Sequence, residues 1–233
     1  MKSTRLLGLA SVVAAVSLAP TLVSAQLEGR FVLTPYVGAY LPTSEVVEFT
    51  VARGGTTVSG NGKHASALAT GANASYWLTD HFAIEAGAVY SHSNFKGDVP
   101  INAIGDPSGA SDRNRAHVLA GSAKLMVQLL SPESAMNMRF GVGPALITRG
   151  GTAYESTAAG KVTGLTDIGA AVSLCTRIPL TNRIGVRLRG EDYIYQTTLG
   201  WTSYVGDVPT RLFNARTQHD FVLSAGLQVS VNR

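Results

Sequence analysis

The chain has 233 residues, 25 of them glycine and one cysteine, with 19 basic against 15 acidic side chains and a formal net charge of +4. A lone cysteine excludes a disulfide framework and an intrachain thiolate metal site. Basic residues scattered without a common stripe exclude a nucleic-acid-binding surface.

Residues 1–25 read as a secretory signal, with cleavage near Ala25. Lys2 and Arg5 give a positive start, and Leu6 to Leu18 is apolar and uncharged. Pro20 breaks that run, and Val23-Ser24-Ala25 presents small residues to a signal peptidase. The run is too short for a spanning helix, which needs about 20 apolar residues. Residues 26–233 form one domain, with no linker or low-complexity boundary, and export is expected.

Eight strands follow, each recognised by the period-2 alternation that puts successive side chains on opposite faces. The first, Arg30 to Tyr40, sets Phe31, Leu33, Val37 and Ala39 against Thr34, Tyr36 and Tyr40. The second, Lys63 to Trp77, is small and polar with weak alternation, and Glu45 to Arg53 extends the first hairpin above the sheet. In the third, Phe82, Ile84, Ala86, Ala88 and Tyr90 oppose Ala83, Glu85, Gly87, Val89 and Ser91. The fourth sets Leu119, Ala123, Leu125, Val127 and Leu129 against Ala120, Ser122, Lys124 and Gln128. The fifth sets Met136, Met138, Phe140, Val142 and Leu146 against Asn137, Arg139, Gly141 and Gly143. In the sixth, Val162, Ile168, Ala170, Val172 and Leu174 oppose Thr163, Asp167, Gly169, Ser173 and Cys175. In the seventh, Ile184, Val186, Leu188 and Ile194 oppose Arg187, Arg189, Glu191 and Tyr193. The eighth is the clearest: Phe221, Leu223, Ala225, Leu227, Val229 and Val231 oppose Asp220, Ser224, Gly226, Gln228 and Ser230.

The connections alternate in length. Leu78 to His81, Ser131 to Ala135 and Pro179 to Asn182 are tight, while Leu41 to Gly62, Ser93 to Arg115, Arg149 to Gly160 and Gln196 to Arg216 are long. Tight turns at one end and long loops at the other predict a closed antiparallel transmembrane barrel, since only closure satisfies every strand in lipid. Aromatics near strand ends, Tyr36, Tyr40, Tyr76, Trp77, Phe82, Tyr90, Phe140, Tyr193, Tyr195 and Phe221, predict two interfacial girdles. A soluble lipocalin-like barrel with the faces reversed is the competing fold, since both arrangements alternate. Its exterior would be the Gly-, Ala- and Ser-rich face, which is poor in Lys and Glu.

Leu33-Thr-Pro-Tyr-Val-Gly-Ala-Tyr40, Trp77-Leu-Thr-Asp-His-Phe-Ala-Ile-Glu-Ala-Gly87 and the closing alternation Phe221 to Val231 resemble the small eight-stranded outer-membrane β-barrel proteins. These are the proteins similar to the transmembrane domain of outer-membrane protein A and to the OmpX and OmpW groups. The resemblance covers nearly the whole of residues 26–233. It implies an all-β, up-and-down barrel in the outer membrane of a Gram-negative cell envelope. The implied partners are outer-membrane lipid, lipopolysaccharide and the barrel-assembly machinery, and the implied state is a monomer.

Glu85, Lys124, Arg139, Asp167, Arg187, Arg189 and Glu191 fall on the face opposite the lipid-like residues. An eight-stranded barrel has an interior just wide enough to be filled by side chains. A lone charge there is costly, so these residues are expected to pair into an interior network that plugs the lumen. The role expected is non-enzymatic: structural, surface contact through the loops, or a narrow pore.

An enzymatic alternative is a lipopolysaccharide acyl hydrolase, since a Ser needs an adjacent base and His64-Ala-Ser66 is the only His-x-Ser in the chain. No Glu stands beside it, and the pair lies in the noisiest strand. No catalytic, cofactor-binding or metal-binding residue is assigned, because no phosphate loop, dinucleotide fingerprint or two-His metal helix occurs.

Overall fold

A computed structural model describes residues 30–53, 56–97, 114–130, 137–156, 160–203 and 216–231. The signal segment 1–25, the tight turn 131–135 and the loop residues Asp98, Asp106, Asp112 and Arg113 lie outside the described residues.

The described residues form twelve strands: β1 (Phe31–Pro42), β2 (Val47–Arg53), β3 (Thr56–His64), β4 (Ala67–Trp77), β5 (Phe82–Gly97), β6 (Arg115–Gln128), β7 (Asn137–Gly150), β8 (Gly160–Thr163), β9 (Thr166–Pro179), β10 (Ile184–Gln196), β11 (Gly200–Ser203) and β12 (Thr217–Val231). Eight of them close a ring in the order β5-β4-β1-β12-β10-β9-β7-β6, with β6 returning to β5, and every pair is antiparallel. The other four ride on the long connections. β2 and β3 form a hairpin that continues onto the end of β5 through Gly62↔Gly97, Lys63↔Lys96 and His64↔Phe95. β8 and β11 pair with each other. The second predicted strand therefore divides after His64, where the chain leaves the hairpin and enters the wall at Ala67.

Parity decides what each residue meets. Outward on the wall are Leu33, Ile84, Leu125, Val142, Leu188 and Leu223, each more than a third exposed. Inward are Glu85, Lys124, Arg187 and Gln228, each 3% exposed or less. An apolar outer wall running right round a barrel is stable only against hydrocarbon. The greasy face points outward, which overturns the lipocalin-like alternative.

The same parity splits the aromatics. Tyr76, Phe82, Tyr90, Phe140 and Phe221 face outward near strand ends. Tyr36, Tyr40, Trp77, Tyr193 and Tyr195 are buried in the lumen and belong to no girdle. Tyr36 fits because Gly71 opposite it carries no side chain: a Cβ there would collide with the Tyr36 hydroxyl. That hydroxyl donates to the Ala88 carbonyl at 3.1 Å. Val162, expected with the lipid-facing residues, is buried instead, because β8 leaves the wall and folds over the long-loop end.

Two tight turns share one design. In Leu78-Thr-Asp-His-Phe82 the Thr79 hydroxyl oxygen accepts from the amides of His81 (3.2 Å) and Phe82 (3.1 Å), and Leu78 N–H donates to the Phe82 carbonyl at 2.9 Å. In Leu180-Thr-Asn-Arg-Ile184 the Thr181 hydroxyl does the same for Arg183 (3.2 Å) and Ile184 (3.0 Å), with Leu180 N–H on the Ile184 carbonyl at 3.0 Å. A side chain replacing the backbone acceptor lets four residues reverse the chain.

Candidate functional site: the filled lumen

The lumen holds polar layers stacked along the barrel axis. The middle layer is built on β5, β6 and β10. In a ring of eight, β10 stands four strands from β5, directly across the lumen. The Glu85 carboxylate on β5 accepts from Arg187 at 2.6 Å and from Arg189, both on β10. It also accepts from Ser75 at 2.8 Å and lies 3.5 Å from Lys124 Nζ. Glu191 takes Lys124 and Arg189, the latter at 3.0 Å. Arg189 reaches on to the Asn73 amide oxygen at 2.7 Å, and Arg187 donates to Cys175 Sγ at 3.0 Å. Three cations and two carboxylates thus interlock across the full bore.

The seven sequence-derived residues divide three ways. Glu85, Lys124, Arg187, Arg189 and Glu191 meet in this layer. Asp167 sits nearer the long loops and pairs with Arg149 at 2.6 Å, while its other oxygen accepts from Thr198 N–H (2.7 Å) and Oγ1 (2.6 Å). Arg149 also covers the Tyr195 ring at 4.9 Å, and Tyr195 donates to Asp220 at 2.7 Å. Arg139 has no carboxylate partner among the described residues. Its guanidinium lies over the Trp77 ring at 4.5 Å near the short-turn end.

Arg149, Asn73 and Tyr154 lie outside the set expected from the sequence, which holds Asp220 only as an inward residue of the last strand. Arg149 shares the inward parity of Arg139 on β7, but it opens the long connection expected from the sequence. Asn73 shares that of Ser75. Tyr154 lies in the connection after β7, where no periodicity signals a contact.

An aromatic layer covers the long-loop end. His64, at the close of β3, is 1% exposed, and its Nε2 lies 2.6 Å from the Tyr154 hydroxyl. The Tyr154, Tyr40 and Phe95 rings surround it with centroids 5.8, 6.2 and 6.3 Å away. Burial lowers the His64 pKa to about 3, with Arg149 and His117 acting in the same direction, so the imidazole is neutral. Tyr154 itself is pushed up by burial. Ser66 is exposed, so the His-x-Ser pair is split between a sealed imidazole and a surface hydroxyl. No group of three or more metal-ligating side chains occurs among the described residues.

No protein-family model matches the sequence, and no curated protein matches it significantly. Solved structures do match. The outer membrane protein OprG from Pseudomonas aeruginosa superposes with a TM-score of 0.63 at 12% identity, over 91% of this chain and 100% of that one. The outer membrane protein AlkL, solved in lipid bilayers, gives 0.60 at 15% identity, over 92% and 96%. The Escherichia coli outer membrane protein W gives 0.47 at 14% identity, over 88% and 98%. By its closed ring and its likeness to OprG and AlkL, the chain has the fold of the small eight-stranded outer-membrane barrels.

Proposed function

We propose that this chain is a non-enzymatic outer-membrane protein whose lumen is closed and whose work is done on its outer surfaces. The observation that carries this is the ion-pair layer bridging β5 to β10 straight across the bore. The aromatic layer over His64 is a second closure. The apolar wall and the shared barrel fold support residence in the outer membrane. The chain enters it as a monomer through the barrel-assembly machinery. The separation of His64 from Ser66 speaks for a binding or structural role and against acyl hydrolysis.

Planar-bilayer recording of the folded protein tests the closure. No discrete steps are expected from the wild type, and steps are expected when the layer is broken by Glu85→Ala together with Glu191→Ala. Steady conductance from the wild type would replace this reading with a narrow pore. Release of an acyl chain from lipopolysaccharide by the wild type, lost in Ser66→Ala, would replace it with the hydrolase.

A further inference from the structure

We infer that the outer wall of β3, β5 and β6, just above the apolar belt, is a docking site for the phosphate groups of lipopolysaccharide. The inference rests on the outer-membrane reading above. The outward residues of β5 run Phe82, Ile84, Ala86, Ala88, Tyr90, and then change character to His92, Asn94 and Lys96. From Phe82 to Tyr90 a tilted strand climbs roughly 20 Å, close to the height of the lipid-facing band in such barrels. The next side chains therefore stand at headgroup level.

Cross-strand partners build the patch sideways. Tyr90 faces Leu119, His92 faces His117, Asn94 faces Arg115, and Lys96 faces Lys63. Lys63, Lys96, His92 and Arg115 are all exposed. Among the described residues none has an acidic partner. Lys63 and Lys96 stand directly opposite on one face, an arrangement that is destabilising unless an anion lies between them. The far side of the rim differs: Asp192 lies 2.9 Å from His219 Nδ1, and Glu45 lies 3.7 Å from Arg216. On this sector of the rim the described cations gather without an acidic partner, continuous with the lipid-facing wall beneath them. A lipid whose acyl chains lie on Tyr90 and Leu119 would put its headgroup phosphates against Lys63, Lys96 and Arg115.

The test uses the full mature chain folded in detergent micelles, titrated with purified lipopolysaccharide and read by native mass spectrometry. One lipopolysaccharide per barrel is expected to be retained. The triple variant K63A/K96A/R115A should weaken retention at least tenfold, and Lys161→Ala, an exposed cation elsewhere, should leave it unchanged. Enzymatically dephosphorylated lipopolysaccharide should bind the wild type as weakly as the intact lipid binds the triple variant; this arm needs no mutant to fold. Equal retention by wild type and triple variant overturns the site. Phosphatidylglycerol competing as well as lipopolysaccharide overturns its assignment to that lipid. A chain that stays soluble without detergent defeats the membrane reading, whereas an inserted barrel indifferent to lipopolysaccharide phosphate defeats this inference alone.

Discussion

Glu85 and Arg139 show opposite sides of the cost of burying charge. Glu85 is surrounded by Arg187, Arg189, Lys124 and Ser75, all inside the lumen. Removing it leaves the buried Arg187 guanidinium without a counter-charge and Arg189 and Lys124 sharing Glu191. Truncating one member of a buried pair costs about 3–5 kcal/mol. Glu85→Ala is therefore expected to lower urea resistance in detergent by that order, read by the heat-modifiable gel shift. A transition at the wild-type urea concentration would show that the layer is not holding the wall. Arg139 has no carboxylate among the described residues, and its Nε and Nη2 lack partners. Its compensation is the Trp77 ring. A cation over an aromatic face contributes about 2 kcal/mol at best when desolvated, less than the several kcal/mol of losing water. Arg139→Met keeps the length and deletes the charge, so it is expected to be neutral or to raise urea resistance. A large loss would mean that the guanidinium finds an anion.

Two elements outside the wall carry their own tests. The paired turns depend on one hydroxyl each. Thr79→Ala and Thr181→Ala should each cost about 1 kcal/mol, the typical net value of a local side-chain hydrogen bond. Thr→Ser at either site should restore it. Unchanged stability in both alanine variants would transfer the turn's shape to its backbone bonds alone. The hairpin β2–β3 is held at its base by His64. The pKa of this imidazole is about 3 when buried and near 6.5 when free. A depressed pKa in the closed state means that the open state binds the proton more tightly. The contribution is complete above about pH 6.5 and is lost as pH falls toward 3. Protonation would also set a positive charge near Arg149 and His117, between Tyr154, Tyr40 and Phe95. Hydrogen exchange at the amides of β3 is expected to accelerate about tenfold per pH unit across that window, beyond the intrinsic pH effect. His64→Gln should flatten the dependence, and an identical pH profile in that variant would remove His64 as its cause.

For the molecule as a whole, most of the barrel was legible because one rule governs it. Period-2 alternation needs no knowledge of partners, so parity alone put Lys124, Arg187 and Gln228 in the lumen and Leu125 and Leu227 outside. The same rule failed where the chain leaves the wall. Val162, His64 and Tyr154 are placed by contacts between separate excursions at the long-loop end, and no local pattern encodes those. Parity also could not say which inward charges would meet. That depends on strands standing opposite in the closed ring, as β5 and β10 do, and on tilt, which carries Arg139 toward Trp77. The orientation itself can be tested by substitution. Leu227 lies near the middle of the outward apolar run Phe221 to Val231 on β12, beside Val186, and Val231 lies at the strand's end beside Phe31. A basic residue facing lipid costs about 2–4 kcal/mol at the midplane and about 0–1 kcal/mol near the interface. Leu227→Arg should therefore cut the folding free energy in lipid vesicles by several-fold more than Val231→Arg. In a barrel whose outer face met water both changes would be nearly silent, so equal and small effects would put the apolar wall outside any bilayer.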